Sequence, residues 1–267
     1  MAAVLVQAHD VGIWFWGCYG GPSNCSIVPE SVGQYFIGER PIATEIYPGF
    51  GHQLESDGTF RLPGEAATEA IERTRQKYSS LRIKPQVDGC GTVEAYRALV
   101  FNETKAQLFI NAFVQQAEQH NYDGWNVDWE FGGFNRQDAV AGARFAQRWA
   151  DALGSNRTLS WCVGETFNIH LPDVKNVTAV TMGTYTSNGL EFLKQLAHCA
   201  LFPVCSAGLS CSTDSWGHTA PTQKQLQTRF EAIELAGVKK VALFGGNFDF
   251  LRQYVPFLQN FVQKKYI

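Results

Sequence analysis

Three polar side chains at every second position, Asn126, Asp128 and Glu130, interrupt an otherwise apolar stretch, "NYDGWNVDWEFGG" (residues 121–133). Side chains alternate across a β-strand, so these three share one face and Trp125, Val127 and Trp129 share the other. Carboxylates two residues apart on one face lie roughly 6–7 Å apart at the backbone, at about 3.3 Å rise per residue. Their side chains can approach and share a proton, and such coupling raises one apparent pKa. The acid higher in the stack, Glu130, is then suited to remain protonated near neutral pH and act as a general acid. Interior carboxylates are costly unless paired or hydrogen-bonded. A period-two repeat of them inside a hydrophobic strand therefore points to chemistry. The competing reading is an acidic strand end that binds a cation, with Asp123-Gly124 a turn ahead of a structural strand.

Such a strand needs a frame. Short apolar runs predict strands at 13–17, 42–47, 81–87, 122–129, 159–163, 177–182, 201–205 and 238–244. The seventh is the weakest, because Pro203 argues against a central strand. Helical periodicity falls between them. Residues 104–119 place Phe109, Ala112, Phe113 and Ala117 on one stripe. Residues 137–153 carry Ala146, Trp149, Ala150 and Leu153 and stop at Gly154. Residues 222–236 open on a capping box, Thr222 with Gln225. Weaker helices fit 29–39, 65–80, 188–198 and 249–264, with a doubtful one at 167–175. Eight strands alternating with helices and no linker predict an α/β fold, a (β/α)8 TIM barrel formed by residues 1–267 as a single domain. The alternative is a doubly wound open sheet, but "GCYGG" (17–21) lacks the glycine spacing of its phosphate loop. In a barrel the tryptophans face the helices, and Asn126, Asp128 and Glu130 climb the interior toward the C-terminal end, where catalytic groups of such barrels sit.

Composition narrows the function. A net charge of -3 and the lack of any Lys/Arg run exclude a nucleic-acid partner. No apolar stretch nears the roughly 18 residues of a membrane span. Aromatics at 13% suit stacking against flat ligands such as sugar rings. Seven cysteines and four N-x-S/T sequons, at Asn24, Asn102, Asn156 and Asn176, point to secretion or an endomembrane lumen. The opening "MAAVLVQAHD" lacks the basic start of a signal peptide, so an exported form would have lost its signal. Cys18 with Cys25 and Cys205 with Cys211 are close enough to close short loops, whereas Cys162 is expected buried and inert. No spacing matches a zinc site and no cofactor or metal is expected. The histidines are scattered, and "GLSCS" (208–212) lacks the last glycine of a nucleophile elbow.

"DGWNVDWE" resembles the family 18 glycoside hydrolase signature D-G-x-D-x-D-x-E, with Asp123, Gly124, Asp128, Trp129 and Glu130 matching. "VTMGTY" (180–185) is similar to that family's sixth-strand end. The resemblance implies a retaining enzyme that cuts β-1,4 bonds beside N-acetylglucosamine, in chitin oligosaccharides or N-glycan cores. It implies a substrate-assisted route: Glu130 protonates the glycosidic oxygen, the substrate's own acetamido oxygen attacks, and Asp128 orients that group. It also implies a catalytic group of Glu130, Asp128, Asn126 and Asp123. Tyr185, Met182, Tyr47 and either Phe244 or Phe248 would bind substrate, and the partner would be an N-acetylglucosamine-containing oligosaccharide or polysaccharide, bound by a monomer; Glu165, ending the fifth strand, would touch the ligand or be solvated, and Trp216 would stack a sugar or only cover the barrel end. The chain departs from the pattern at Asn126, at "VDGCG" (87–91) in place of Ser-x-Gly-Gly, and in the wider spacing of Met182 and Tyr185. Only about ten to fifteen residues follow the seventh strand before the next helix, ordinary for a loop. No α+β insertion fits there, so the cleft should be shallow and open. A silent lectin on the same barrel is the competing function.

Overall fold

The computed structural model describes residues 9–16, 36–37, 40–89, 92–164, 174–181, 183–211, 216, 219–244 and 250–263. Eight parallel strands form its centre: β1 (Asp10–Trp16), β2 (Glu45–Leu54), β3 (Gln86–Asp88), β4 (Gly124–Asp128), β5 (Thr158–Val163), β6 (Val177–Thr181), β7 (Cys205–Ser210) and β8 (Lys240–Phe244). Each pairs with the next, and β1 pairs with both β2 and β8, which closes the sheet into a barrel. Around it run α1 (Glu65–Lys77), α2 (Val93–Val100), α3 (Glu103–Gln119), α4 (Arg136–Leu153), α5 (Gly189–Cys199), α6 (Gln223–Leu235) and α7 (Leu251–Gln263). The predicted (β/α)8 architecture is therefore the one observed. None of the described helices is long and apolar enough to cross a membrane.

The alternation read in β4 holds. Trp125 and Val127 are fully buried on the helix side. The Trp125 indole donates to the Phe113 carbonyl of α3 at 3.2 Å. Phe109 and Phe113 stack at 4.1 Å and, with Trp149 of α4, lock α3 and α4 over the strand. Edge and stacked pairs of this kind add about 0.5–1.5 kcal/mol each beyond area burial. Gly124 opens β4 at φ 137°, where any Cβ would stand 1.7 Å from the Thr158 carbonyl oxygen. Only glycine lets β4 lie this close to β5.

Four expectations are corrected. The seventh strand is Cys205–Ser210, not 201–205. Its small residues leave space inside the barrel and give no apolar run, and Pro203 precedes the strand as its missing N–H demands. Cys205 is bonded to Cys199, with Cα atoms 5.6 Å apart, and Cys211 is buried outside any disulfide, so the 205–211 loop closure is not formed. Helix α2, capped by Thr92, was not anticipated. Within 29–39, residues Phe36–Ile37 are extended and pair with Arg40–Pro41. Residues 29–35 and 167–173, with Cys18, Cys25 and Asn24, lie outside the described residues.

The closed, N-terminal end of the barrel is charged. Glu45, 2% exposed, accepts from Lys84 at 2.8 Å, from Arg82 at 3.2 Å and from the Tyr47 hydroxyl. Asp10 pairs with Arg82 at 2.8 Å and Lys240 at 3.0 Å. Burial alone would raise the Glu45 pKa, but Lys84, Lys240 and Arg82 together hold it well below the usual carboxylate range.

Candidate active site

At the other end the interior side chains of β3, β4 and β5 converge. Asn126 is wholly buried. Its Oδ1 accepts from the Trp14 indole of β1 at 2.8 Å, and its Nδ2 donates to Ser160 Oγ at 2.9 Å. An indole can only donate, so the amide's orientation is fixed. Asn126 thus braces the barrel floor and does not reach Asp128. That task falls to Gln86 of β3, whose Nε2 donates to Asp128 Oδ2 at 2.6 Å and to Asp88 Oδ1 at 2.7 Å. The parallel register makes this local: Gln86 lies beside Asn126, and Asp88 beside Asp128.

Among the described residues no cation pairs with Asp128. Its Oδ1 is buried and has no hydrogen-bond partner among the described residues, although the residue as a whole is only half-buried. Burial first, then the negative charge of Glu130, push its pKa well above the carboxylate range. Glu130, exposed, follows the strand end at the mouth. Burial also raises Asp88 to about 6, against the pull of the Gln86 hydrogen bond. Cys162 of β5, free and buried, packs beside Asp128, and its thiol is pushed up by burial and by that neighbour. Asp88 and Asp128 are thus two neighbouring acids with raised pKa values at the mouth, the kind of perturbed pair that clusters at functional sites.

Aromatic rings complete the wall. Tyr185 sits on the 3-10 turn Gly183–Tyr185 after β6, stacked on Phe244 at 5.4 Å and edge-on to Trp14 at 6.3 Å. Burial, followed by Cys162, Asp128 and Glu130, raises its hydroxyl pKa, which sets the hydroxyl near the acids. A Cβ on Gly208 of β7 would meet the Thr181 carbonyl at 2.3 Å and the Tyr185 ring at 2.6 Å, so the glycine makes room for this turn.

Other expected residues lie elsewhere. Asp123 is at the opposite end of β4, paired with Arg75 at 3.0 Å and accepting from the Ile83 N–H at 2.8 Å. Tyr47 is buried below the site, its hydroxyl committed to Glu45 and its ring edge-on to Trp14 at 5.1 Å. Trp216, 7% exposed, donates to the Ser210 carbonyl at 2.9 Å, and the Arg229 guanidinium covers its ring at 4.4 Å. It is packed as a cover for β7, with no open face for a sugar. Met182, Glu165 and Phe248 lie outside the described residues. Trp14, Gln86 and Asp88 were missed. The signals were present: Trp14 shares β1's inward face with Gly12, and Asp88 ends a strand at the mouth. No three His, Cys, Asp or Glu among the described residues are grouped to hold a metal ion.

Comparison with known proteins agrees with this geometry. Residues 42–239 match the model of Glycosyl hydrolases family 18. A chitinase from Bacteroides thetaiotaomicron superposes with a TM-score of 0.74 at 12% identity, over 97% of this chain and 98% of that one. The class V chitinase from Nicotiana tobaccum gives 0.73 at 9% identity, over 97% and 100%, and a mutant of it was solved in complex with NAG4. The spore cortex-lytic enzyme SleL of Bacillus megaterium QM B1551 gives 0.70 at 11% identity, over 94% of this chain and 73% of that one. At these identities the likeness is one of fold.

Proposed function

We propose, from the premise that the chain belongs to glycosyl hydrolases family 18, that it is a retaining hydrolase of β-1,4 bonds beside N-acetylglucosamine. The observation that carries the reading is the half-buried Asp128, paired with no cation among the described residues, next to Glu130 at the open mouth. Glu130 donates its proton to the glycosidic oxygen as the bond breaks. The acetamido oxygen of the sugar attacks the anomeric carbon, giving an oxazolinium intermediate and, after water attacks with Glu130 as base, net retention. Asp128 accepts from the acetamido N–H and stabilises its growing positive charge. Gln86 fixes the Asp128 carboxylate for that contact. Tyr185 supplies a hydroxyl to the acetamido oxygen, and Phe244 forms the apolar surface under the ring, backed by the buried Trp14 edge-on at 6.4 Å. Asn126 acts through Trp14 and Ser160, and Asp123 is a latch of the barrel's closed end.

An oligosaccharide such as the one held by the tobacco protein is the substrate class this reading favours, with N-glycan cores the other source of the same unit. Exposed sequon asparagines at 102, 156 and 176 and the Cys199–Cys205 disulfide support a secreted or lumenal location. The test compares wild type with Glu130→Gln on chitin oligomers and on a high-mannose glycopeptide. The expected loss is about 10²–10⁴-fold. Binding without turnover in both proteins would make the chain a lectin, and an inverted product would remove the acetamido step while leaving hydrolysis.

A further inference from the structure

The Gln86 amide nitrogen carries two N–H groups, and each points at a different carboxylate: Asp88 at 2.7 Å and Asp128 at 2.6 Å. Gln86 is 1% exposed, so neither bond is exchanged for water without leaving a buried donor unpaired. Asp88 and Asp128 are register partners on adjacent strands, side by side at the mouth. On β4 itself the position below Asp128 is Asn126, whose amide is spent on Trp14 and Ser160.

We propose that Asp88 is a positioning residue of the acid cluster, supplying from β3, through the shared Gln86 amide, the second carboxylate that β4 lacks at Asn126. The charged and titratable groups around it are few. Asp128 and, beyond it, Glu130 face it from β4, and Gln53 is its register partner on β2. Arg61, on the short strand Phe60–Arg61, is hydrogen-bonded to Gln53 and brings the one positive charge that acts on Asp88 among the described residues. Above about pH 6 Asp88 is ionised, and its charge favours keeping the proton on Asp128. Asp88 touches no reacting atom; it acts by holding Gln86 and by raising the proton affinity of Asp128.

The proposal rests on the hydrolase reading for its activity arm only. Asp88→Asn keeps the shape and removes the charge. In carboxyl-13C-aspartate protein followed by NMR, the Asp128 titration should move down by about 0.5–1 pH unit, as loss of a close like charge requires. The alkaline limb of the pH–rate profile on a chitin oligomer should move down with it. Asp88→Glu should restore part of both shifts. An Asp128 titration unchanged in Asp88→Asn, or a rate lowered equally at every pH, would overturn the proposal. Should the wild type hydrolyse nothing, the activity reading fails, while the carboxyl titration still decides the role of Asp88.

Discussion

Two carboxylates inside one barrel, Glu45 at the closed end and Asp128 at the mouth, respond to burial in opposite ways. Burial opposes ionisation of both. At the closed end Lys84 at 2.8 Å, Arg82 at 3.2 Å and the Tyr47 hydroxyl reverse that effect. At the mouth Asp128 meets an amide, a thiol and two further acids, and the effect stands. The same residue class thus makes a permanent ion pair at one end and a proton reservoir at the other, and the difference lies in partners, not in depth. The pH linkage differs in sign. Glu45, lowered in the fold, contributes stability that is present above its ordinary value of 4.5 and is lost as pH falls below it. Asp128, raised in the fold, contributes stability that is present below its ordinary value of 3.8 and is lost as pH climbs through the folded value. The mouth stores an electrostatic cost that the closed end has removed.

The largest break in this contrast comes from Lys84→Met. It strips the nearest cation from a buried carboxylate and should cost about 3–5 kcal/mol. Thermal melting should fall by about 10 °C at pH 7, and by less at pH 4, where protonation of Glu45 relieves the unpaired charge. A loss under about 1 kcal/mol would mean Arg82 and Lys240 suffice, and that the closed end is less finely paired than its distances imply. Next comes Asp128→Asn. Turnover should fall about 10²-fold, near 2.7 kcal/mol of transition-state stabilisation. Melting at pH 8 should be unchanged or slightly higher, because a costly buried charge is gone. A lower melting temperature would show that the mouth carboxylate stabilises the fold, and the contrast would collapse.

The sequence exposed one of these ends better than the other. β4 was legible because its two faces alternate without exception, tryptophans and valine against amide and acids, and its end marks the barrel mouth. The barrel followed from eight apolar runs spaced by helical stripes. β7 was misplaced because Gly208 must be small to admit Tyr185, and its small neighbours Ser206 and Ala207 leave no hydrophobic signature. Asp88 was read only as a departure at "VDGCG" and Gln86 only as part of the predicted strand 81–87, since their meaning depends on a register between β3 and β4 that no local pattern encodes. The pairing of Glu45 with Lys84 was hidden for the same reason, as was the partner of Asn126, which lies 112 residues away at Trp14. Asp123 was carried into the site by its neighbours in the signature, although a strand five residues long separates its ends by roughly 16 Å.

The smallest effect sharpens the contrast most finely. Asn126→Asp places a third acid under Asp128. The Trp14 indole and the Ser160 hydroxyl can both donate to the new carboxylate, so the site offers it hydrogen bonds but no cation. Stability should drop by only about 1 kcal/mol. The added negative charge should hold the shared proton longer, moving the alkaline limb of the pH–rate profile up by about half a unit. That is the opposite sign to Asp88→Asn, so the double variant should return close to the wild-type curve if both act through Asp128. An unmoved curve in Asn126→Asp would confine that position to bracing Trp14. Asp88 would then be the neighbour that tunes the proton at the mouth.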